Sequence, residues 1–141
     1  MKYWKPILSY KTHEGEKFFE SNYEVEKLPD CRYHGKPKNI PIATDIYAVA
    51  YEIDNNTNRA CLRCEPTKGQ IIHDPKSGCD YRFASYNKSG TELLKSGRVD
   101  FQSRYYADTL EEAKEMYNFL IESRIKQLEN LIEITKQDMI L

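Results

Sequence analysis

No stretch of this chain approaches the ~20 consecutive apolar residues that a membrane-spanning helix needs. The N-terminal MKYWKPILSYKTHEGEK lacks the apolar centre of a secretory signal. Both absences lead to the expectation of a cytoplasmic protein. A surplus of one charge is missing too: 21 Lys/Arg stand against 22 Asp/Glu, a formal net charge of −1. A general nucleic-acid binder would carry a strong basic excess, so nucleic acid is not the expected partner. Glycine-rich loops of the P-loop or dinucleotide type do not occur. His13, His34 and His73 fall in loops with no Ser or Asp partner that the sequence can place beside them, and the carboxylates sit mainly on exposed faces. An enzyme is therefore not expected, and no catalytic residue is assigned. Repeats, low-complexity tracts and long linkers are absent as well, so 1–141 reads as one domain, large enough to fold without metal or disulfide support.

What the chain does have is a strong helical signal at its end. From Asp108 to about Asp138, Ala113, Tyr117, Ile121, Ile125, Leu128 and Ile132 recur at helical spacing, with Met139 just beyond, and Leu110, Met116, Leu120 and Leu131 widen the stripe. Asp108 and Thr109 are followed three residues later by Glu111 and Glu112, a doubled capping-box pattern whose acids also suit the positive end of the helix dipole. A helix of this length would reach ~45 Å, whereas a globule of this size is only ~37 Å across. The helix is expected to overrun its own protomer and to make a homo-oligomer with the apolar surface it leaves uncovered. A break near Asn130 into two helices, or a frayed last turn, is the alternative.

The preceding 1–107 alternates like strands. Segments 3–10 and 17–26 read as a pair, the second long and solvated. Pro29, Pro37 and Pro41 mark a surface loop through 28–44, and 46–53 with 59–64 read as a hairpin around Asp54-Asn55-Asn56-Thr57-Asn58. Ile71 and Ile72 suggest a short strand within a loop bounded by Pro66 and Gly78. Segments 80–86 and 99–106 read as the last strands. Strands first and helix last make this α+β, a mostly antiparallel sheet over 1–107 and a helical segment over 108–141.

Charge divides the same way. Residues 1–107 hold 17 Lys/Arg and 14 Asp/Glu, net +3, and 108–141 hold 4 and 8, net −4. The late strands carry the most ligand-like set: Arg82, Tyr86, Asn87, Lys88, Arg98, Arg104 and Tyr106. Alternation puts Arg82 with Tyr86, and Arg104 with Tyr106, opposite Tyr81, Phe83, Phe101 and Tyr105. Guanidinium forks fit phosphate oxygens and aromatic rings stack on bases, so the set suits a nucleotide. The same arginines could instead pair with the acidic helix, and both readings stand. Cys31 with His34 resembles half of a zinc knuckle, and Cys61-Leu62-Arg63-Cys64 could supply the other half, with His73 and Cys79 in reserve. On one strand, however, Cys61 and Cys64 would face opposite sides, so the cysteines are read as reduced thiols, with no metal and no cofactor.

The 11 tyrosines, with abundant Lys, Ile and Asn, give a composition like that of phage or bacterial proteins from AT-rich genomes. The passage FASYNKSGTELLKSGRVDFQSRYYADTLEEAKEMYNFL at 83–120, on a sheet-then-helix layout, resembles small phage proteins and among them the Thoeris anti-defence sponges. The resemblance implies an oligomeric, non-enzymatic protein that sequesters a cyclic ADP-ribose type of signal in the host cytoplasm, near its subunit contacts. It implies Arg104 or Arg98 for phosphate, Phe83 or Tyr86 for stacking and Asn87 for a polar edge. The expected ligand-binding set is therefore Arg82, Phe83, Tyr86, Asn87, Arg98 and Arg104. An inhibitor or adaptor that binds another protein through the acidic helix or the Tyr-rich sheet is the alternative, and a zinc-supported nucleic-acid-binding domain a further one.

Overall fold

The computed structural model describes residues 1–6, 19–27, 35–50, 53–54, 56, 59–60, 65–74, 80–95 and 99–140. The elements in order are β1 (Trp4–Pro6), β2 (Phe19–Ser21), β3 (Glu24–Lys27), β4 (Gly35–Lys38), β5 (Ile46–Val49), β6 (Ile53–Asp54), β7 (Arg59–Ala60), β8 (Thr67–Asp74), β9 (Asp80–Ser85), β10 (Val99–Asp100), a 3-10 turn (Phe101–Ser103), β11 (Tyr105–Ala107) and α1 (Leu110–Lys136). The α+β expectation holds: a mostly antiparallel β region is followed by a single described α-helix. That helix is not long and apolar enough to cross a membrane.

The central sheet has five strands in the order β10-β9-β8-β5-β11, every neighbour antiparallel. Its longest member is β8, eight residues where only a short strand around Ile71 and Ile72 is expected from sequence. Pro66 and Gly69 hide the alternation of Gly69, Ile71 and His73 with Lys68, Gln70 and Ile72. The segment 99–106 is not one strand. β10 pairs with β9 and β11 with β5, at opposite edges of the sheet.

This divided strand shapes the fold. From Asp100 to Tyr105 an extended chain reaches at most ~17 Å, and the 3-10 turn between them shortens that reach. Outer strands of a flat five-stranded sheet would stand ~19 Å apart. The sheet therefore curls, and its concave side is filled by Ile46, Ala48, Ile71, Phe83, Phe101 and Tyr106, joined by Tyr3, Tyr23 and Ile40. Rings dominate this core: Phe83 and Tyr106 centroids lie 5.7 Å apart, Tyr23 and Phe101 also 5.7 Å. Each fully buried ring of this kind contributes about 1.5–3 kcal/mol of apolar burial.

The convex side carries α1. Val49, Ala50, Tyr105 and Ala107 of the sheet region pack against Ala113, Met116 and Leu120, with Trp4 and Phe119 rings 5.2 Å apart at the margin. Thr109 caps the helix as expected, its Oγ1 accepting from the Glu112 amide at 3.2 Å. Glu115 takes an ion pair from Lys2 at 2.8 Å, which fastens the first residues beside β11, where Lys2 bridges Ala107. The helix continues through Asn130 without the break held open as an alternative. Its buried residues are Ala113, Met116, Leu120, Ser123, Arg124 and Gln127. The packing face is thus rotated away from the apolar stripe read from the sequence, and Ile125 and Ile132 stay 48% and 53% exposed.

Three further expectations change. The solvated strand over 17–26 splits where Tyr23 turns inward: β2 pairs with β1, whereas β3 pairs with β4 inside the stretch expected to be loop. β5 pairs with β8 and β11, and the part of 59–64 that lies within the described residues, Arg59–Ala60, pairs with Ile53–Asp54 instead. The hairpin itself survives as β6 and β7, Ile53 opposite Ala60.

Candidate ligand-binding face

Lys68, Gln70 and Ile72 of β8 lie on the convex side of the sheet, and the register aligns Ala84 with Gln70 and Arg82 with Ile72 on β9. Tyr86, two residues beyond Ala84, continues that row and bridges Leu93. β5 brings Asp45 and Tyr47 alongside, since Tyr47 is paired with Lys68.

A polar cluster forms where these strands meet. The Asp45 Oδ1 accepts from Gln70 Nε2 at 2.9 Å and from the Tyr86 hydroxyl in a shorter bond, and Gln70 Nε2 also donates to that hydroxyl at 3.2 Å. Lys68 Nζ stands 3.7 Å from Asp45 Oδ2 and 5.6 Å from the Tyr86 ring centroid. The Gln70 and Tyr86 hydrogen bonds hold the Asp45 carboxyl below its ordinary value, and the bond to Asp45 raises the Tyr86 phenol. Asp45, Lys68 and Gln70 were not singled out from sequence. Only the pairing of β5 with β8 makes neighbours of them, and reading β8 as mostly loop removed the alternation that could have shown it.

The five expected residues that are described, Arg82, Phe83, Tyr86, Asn87 and Arg104, do not converge on one place. Arg82 and Tyr86 do share a face, as alternation requires, Arg82 half-buried opposite Asp100 of β10. Phe83 is on the other side, 4% exposed in the concave core, so its ring is covered by Tyr106 and cannot take a base. Asn87 is consumed by its own turn. Its Oδ1 accepts from the Thr91 amide and the Ser89 hydroxyl, each at 3.0 Å, while Gly90 closes the turn at φ 71°. Arg104 precedes β11 rather than sharing a strand face with Tyr106, which is fully buried; Arg104 Nη1 donates to the Ser103 carbonyl at 3.1 Å. Arg98 lies outside the described residues, as do Cys31, His34, Cys61, Cys64 and Cys79. Among the described residues no group of three or more His, Cys, Asp or Glu could hold a metal ion.

The cluster offers a carboxylate for hydroxyl or amine donors, a ring flanked by a cation, a carboxamide, and a guanidinium two turns of strand alternation away, ~13 Å along β9. No family model, curated protein or solved structure matches the chain.

Proposed function

We propose that the protein is a non-catalytic binding protein that sequesters a nucleotide-like ligand, of the cyclic ADP-ribose type, on the β8–β9 face. The observation that carries this reading is the placement of Arg82 and Tyr86 on one face with Lys68, Gln70 and Asp45. A simple anion would be repelled by Asp45. A nucleotide is not simple: its phosphates suit Arg82 and Lys68, its ribose hydroxyls can donate to Asp45, and its base can stack on Tyr86. The acidic and basic groups then serve different parts of one molecule. Phe83, Asn87 and Arg104 play no part in this site, and phosphate contact falls to Arg82 instead.

A thermal-shift screen against cyclic and linear nucleotides tests the reading. Ligand at 100 times its dissociation constant adds ~2.7 kcal/mol of stability. A rise in Tm that disappears in Tyr86→Ala and Arg82→Gln is expected. No shift with any nucleotide, or one unchanged in both variants, contradicts the assignment.

A further inference from the structure

We propose that α1 is the second wall of the ligand site, so that a nucleotide on Tyr86 is held in the cleft between sheet and helix by Lys114, Tyr117 and Tyr47; this rests on the β8–β9 face being the nucleotide site. Tyr47 of β5 is paired with Lys68 of β8, and the Lys68 carbonyl accepts from the Tyr86 amide at 3.4 Å. The three side chains therefore form one row across the convex side. Asp45 stands on β5, two strands from the line of β9 and so ~10 Å away, yet its carboxylate accepts from the Tyr86 hydroxyl. The Tyr86 ring must lie across β8, with its hydroxyl end directed at β5, the strand over which α1 packs.

The helix period decides which side of α1 faces this ring. Lys2 bridges Ala107 of the edge strand β11, and Trp4 just after it packs its ring 5.2 Å from Phe119, so the Phe119 side of α1 looks out over that edge. At ~100° per residue, Tyr117 and Ile121 lie on the other side of the buried Met116 and Leu120, towards β8. Ala107 is paired with Tyr47 only three residues before α1 begins, which sets the first turns of the helix level with the row. Tyr47 and Tyr117 are both half-buried against the same apolar cluster, and Lys114, one turn before Tyr117, is exposed. Among the described residues the Tyr47 and Tyr117 hydroxyls meet no hydrogen-bond partner and Lys114 no carboxylate. Two phenols and an ammonium thus border the cleft with their donors unused.

These groups suit the oxygens of a phosphate chain. A base on the outer face of Tyr86 brings the phosphate nearest its ribose between Lys68 and Lys114, where two ammonium groups meet its charge and the phenols donate to its oxygens. Arg82, four residues before Tyr86 on the same side of the sheet, is left for the far end of the ligand. The class this favours is a nucleotide with a pyrophosphate link, whose two charges match the two lysines.

Calorimetric titration of the full chain with ADP-ribose and, separately, with inorganic pyrophosphate tests this. Wild type should bind both. Lys114→Ala and Tyr117→Phe should each weaken both by about 10-fold, through loss of one charged or one hydroxyl donor to phosphate, whereas Tyr86→Ala should weaken ADP-ribose alone. Lys114 is exposed and phenylalanine keeps the Tyr117 ring, so both variants should melt like wild type. Lys36→Ala, which removes an exposed lysine from β4, should change neither affinity. ADP-ribose binding that needs Tyr86 but is untouched by Lys114→Ala and Tyr117→Phe overturns the proposal and leaves the site on the open sheet. Pyrophosphate binding that is lost in Lys114→Ala, with no nucleotide bound, keeps the wall and overturns the reading of Tyr86. A protein that binds neither probe overturns both.

Discussion

The Tyr106 hydroxyl donates to the carbonyl of Phe101 at 2.6 Å, across the short connection that joins the two edges of the sheet. Asp100 secures the other end of that connection, its Oδ1 accepting from the Gln102 amide at 2.9 Å and its carbonyl from the Ser103 hydroxyl at 2.7 Å. Closure of the curl thus depends on a buried phenol holding a buried carbonyl. Tyr106→Phe removes the donor and keeps the ring. Tyr23 still reaches the same carbonyl, but only at 3.4 Å, so a loss of about 1–2 kcal/mol is expected, read as a lower urea midpoint with unchanged slope. An unchanged midpoint would show that the bond does not hold the connection.

Close packing between β8 and β9 gives a sharper case. A Cβ on Gly69 would fall on the carbonyl of Ala84 and lie 2.6 Å from the Phe83 ring. Backbone cannot yield as a side chain end can, so Gly69→Ala should destabilise by about 2–3 kcal/mol despite the better strand propensity of alanine. Equilibrium unfolding checks it, and a neutral or stabilising result would mean that the two strands are further apart than described.

The tyrosines give a pH dependence with a definite sign. Burial, with a smaller contribution from Asp108, pushes the Tyr3 phenol up to about 12, and burial raises Tyr23 and Tyr106 as well. Their folded values stand above the unfolded value of ~10, so the unfolded chain releases these protons first. The stability they carry is fully present below pH ~10 and falls as pH rises towards and beyond 12. Phenolate absorbance followed with far-ultraviolet circular dichroism should show a late group of tyrosines ionising together with unfolding. Ionisation of all 11 tyrosines with the dichroism still native would contradict the burial.

The α1 cap was legible because its signal is local: Thr109 Oγ1 accepts from the Glu112 amide three residues on, as the spacing implies, while the Glu112 carboxylate takes the Thr109 hydroxyl and the Met1 amine. The rotation of the buried face was not legible, because Ser123 and Gln127 are polar and the pattern of apolar residues leads round to Ile125 and Ile132 instead. Alternation did place Arg82 and Tyr86 together. It could not show that Asp45 and Lys68 would join them, since that depends on which strands pair, and it treated 99–106 as one strand because the 3-10 turn at Phe101 leaves no mark in a period of two. Phe83 illustrates the same limit. Its strand face was read correctly as opposite Arg82, but nothing in the alternation says which face the core would claim.

Thr109→Ala tests the local signal directly. Loss of the side-chain acceptor for the Glu112 amide should cost about 1 kcal/mol, and Thr109→Ser should restore nearly all of it. If alanine is as stable as threonine, the cap contributes nothing to holding α1 on the sheet.

The central claim is intact retention of a nucleotide-like ligand on the β8–β9 face. Its most direct measurement is to equilibrate the protein with a cyclic ADP-ribose type nucleotide, remove free ligand, denature, and identify what is released by mass. The expected result is one unchanged nucleotide per chain, lost in Arg82→Gln and Tyr86→Ala. Release of a hydrolysed product would make the protein an enzyme, and an empty protein, or retention unaffected by both substitutions, would contradict the account.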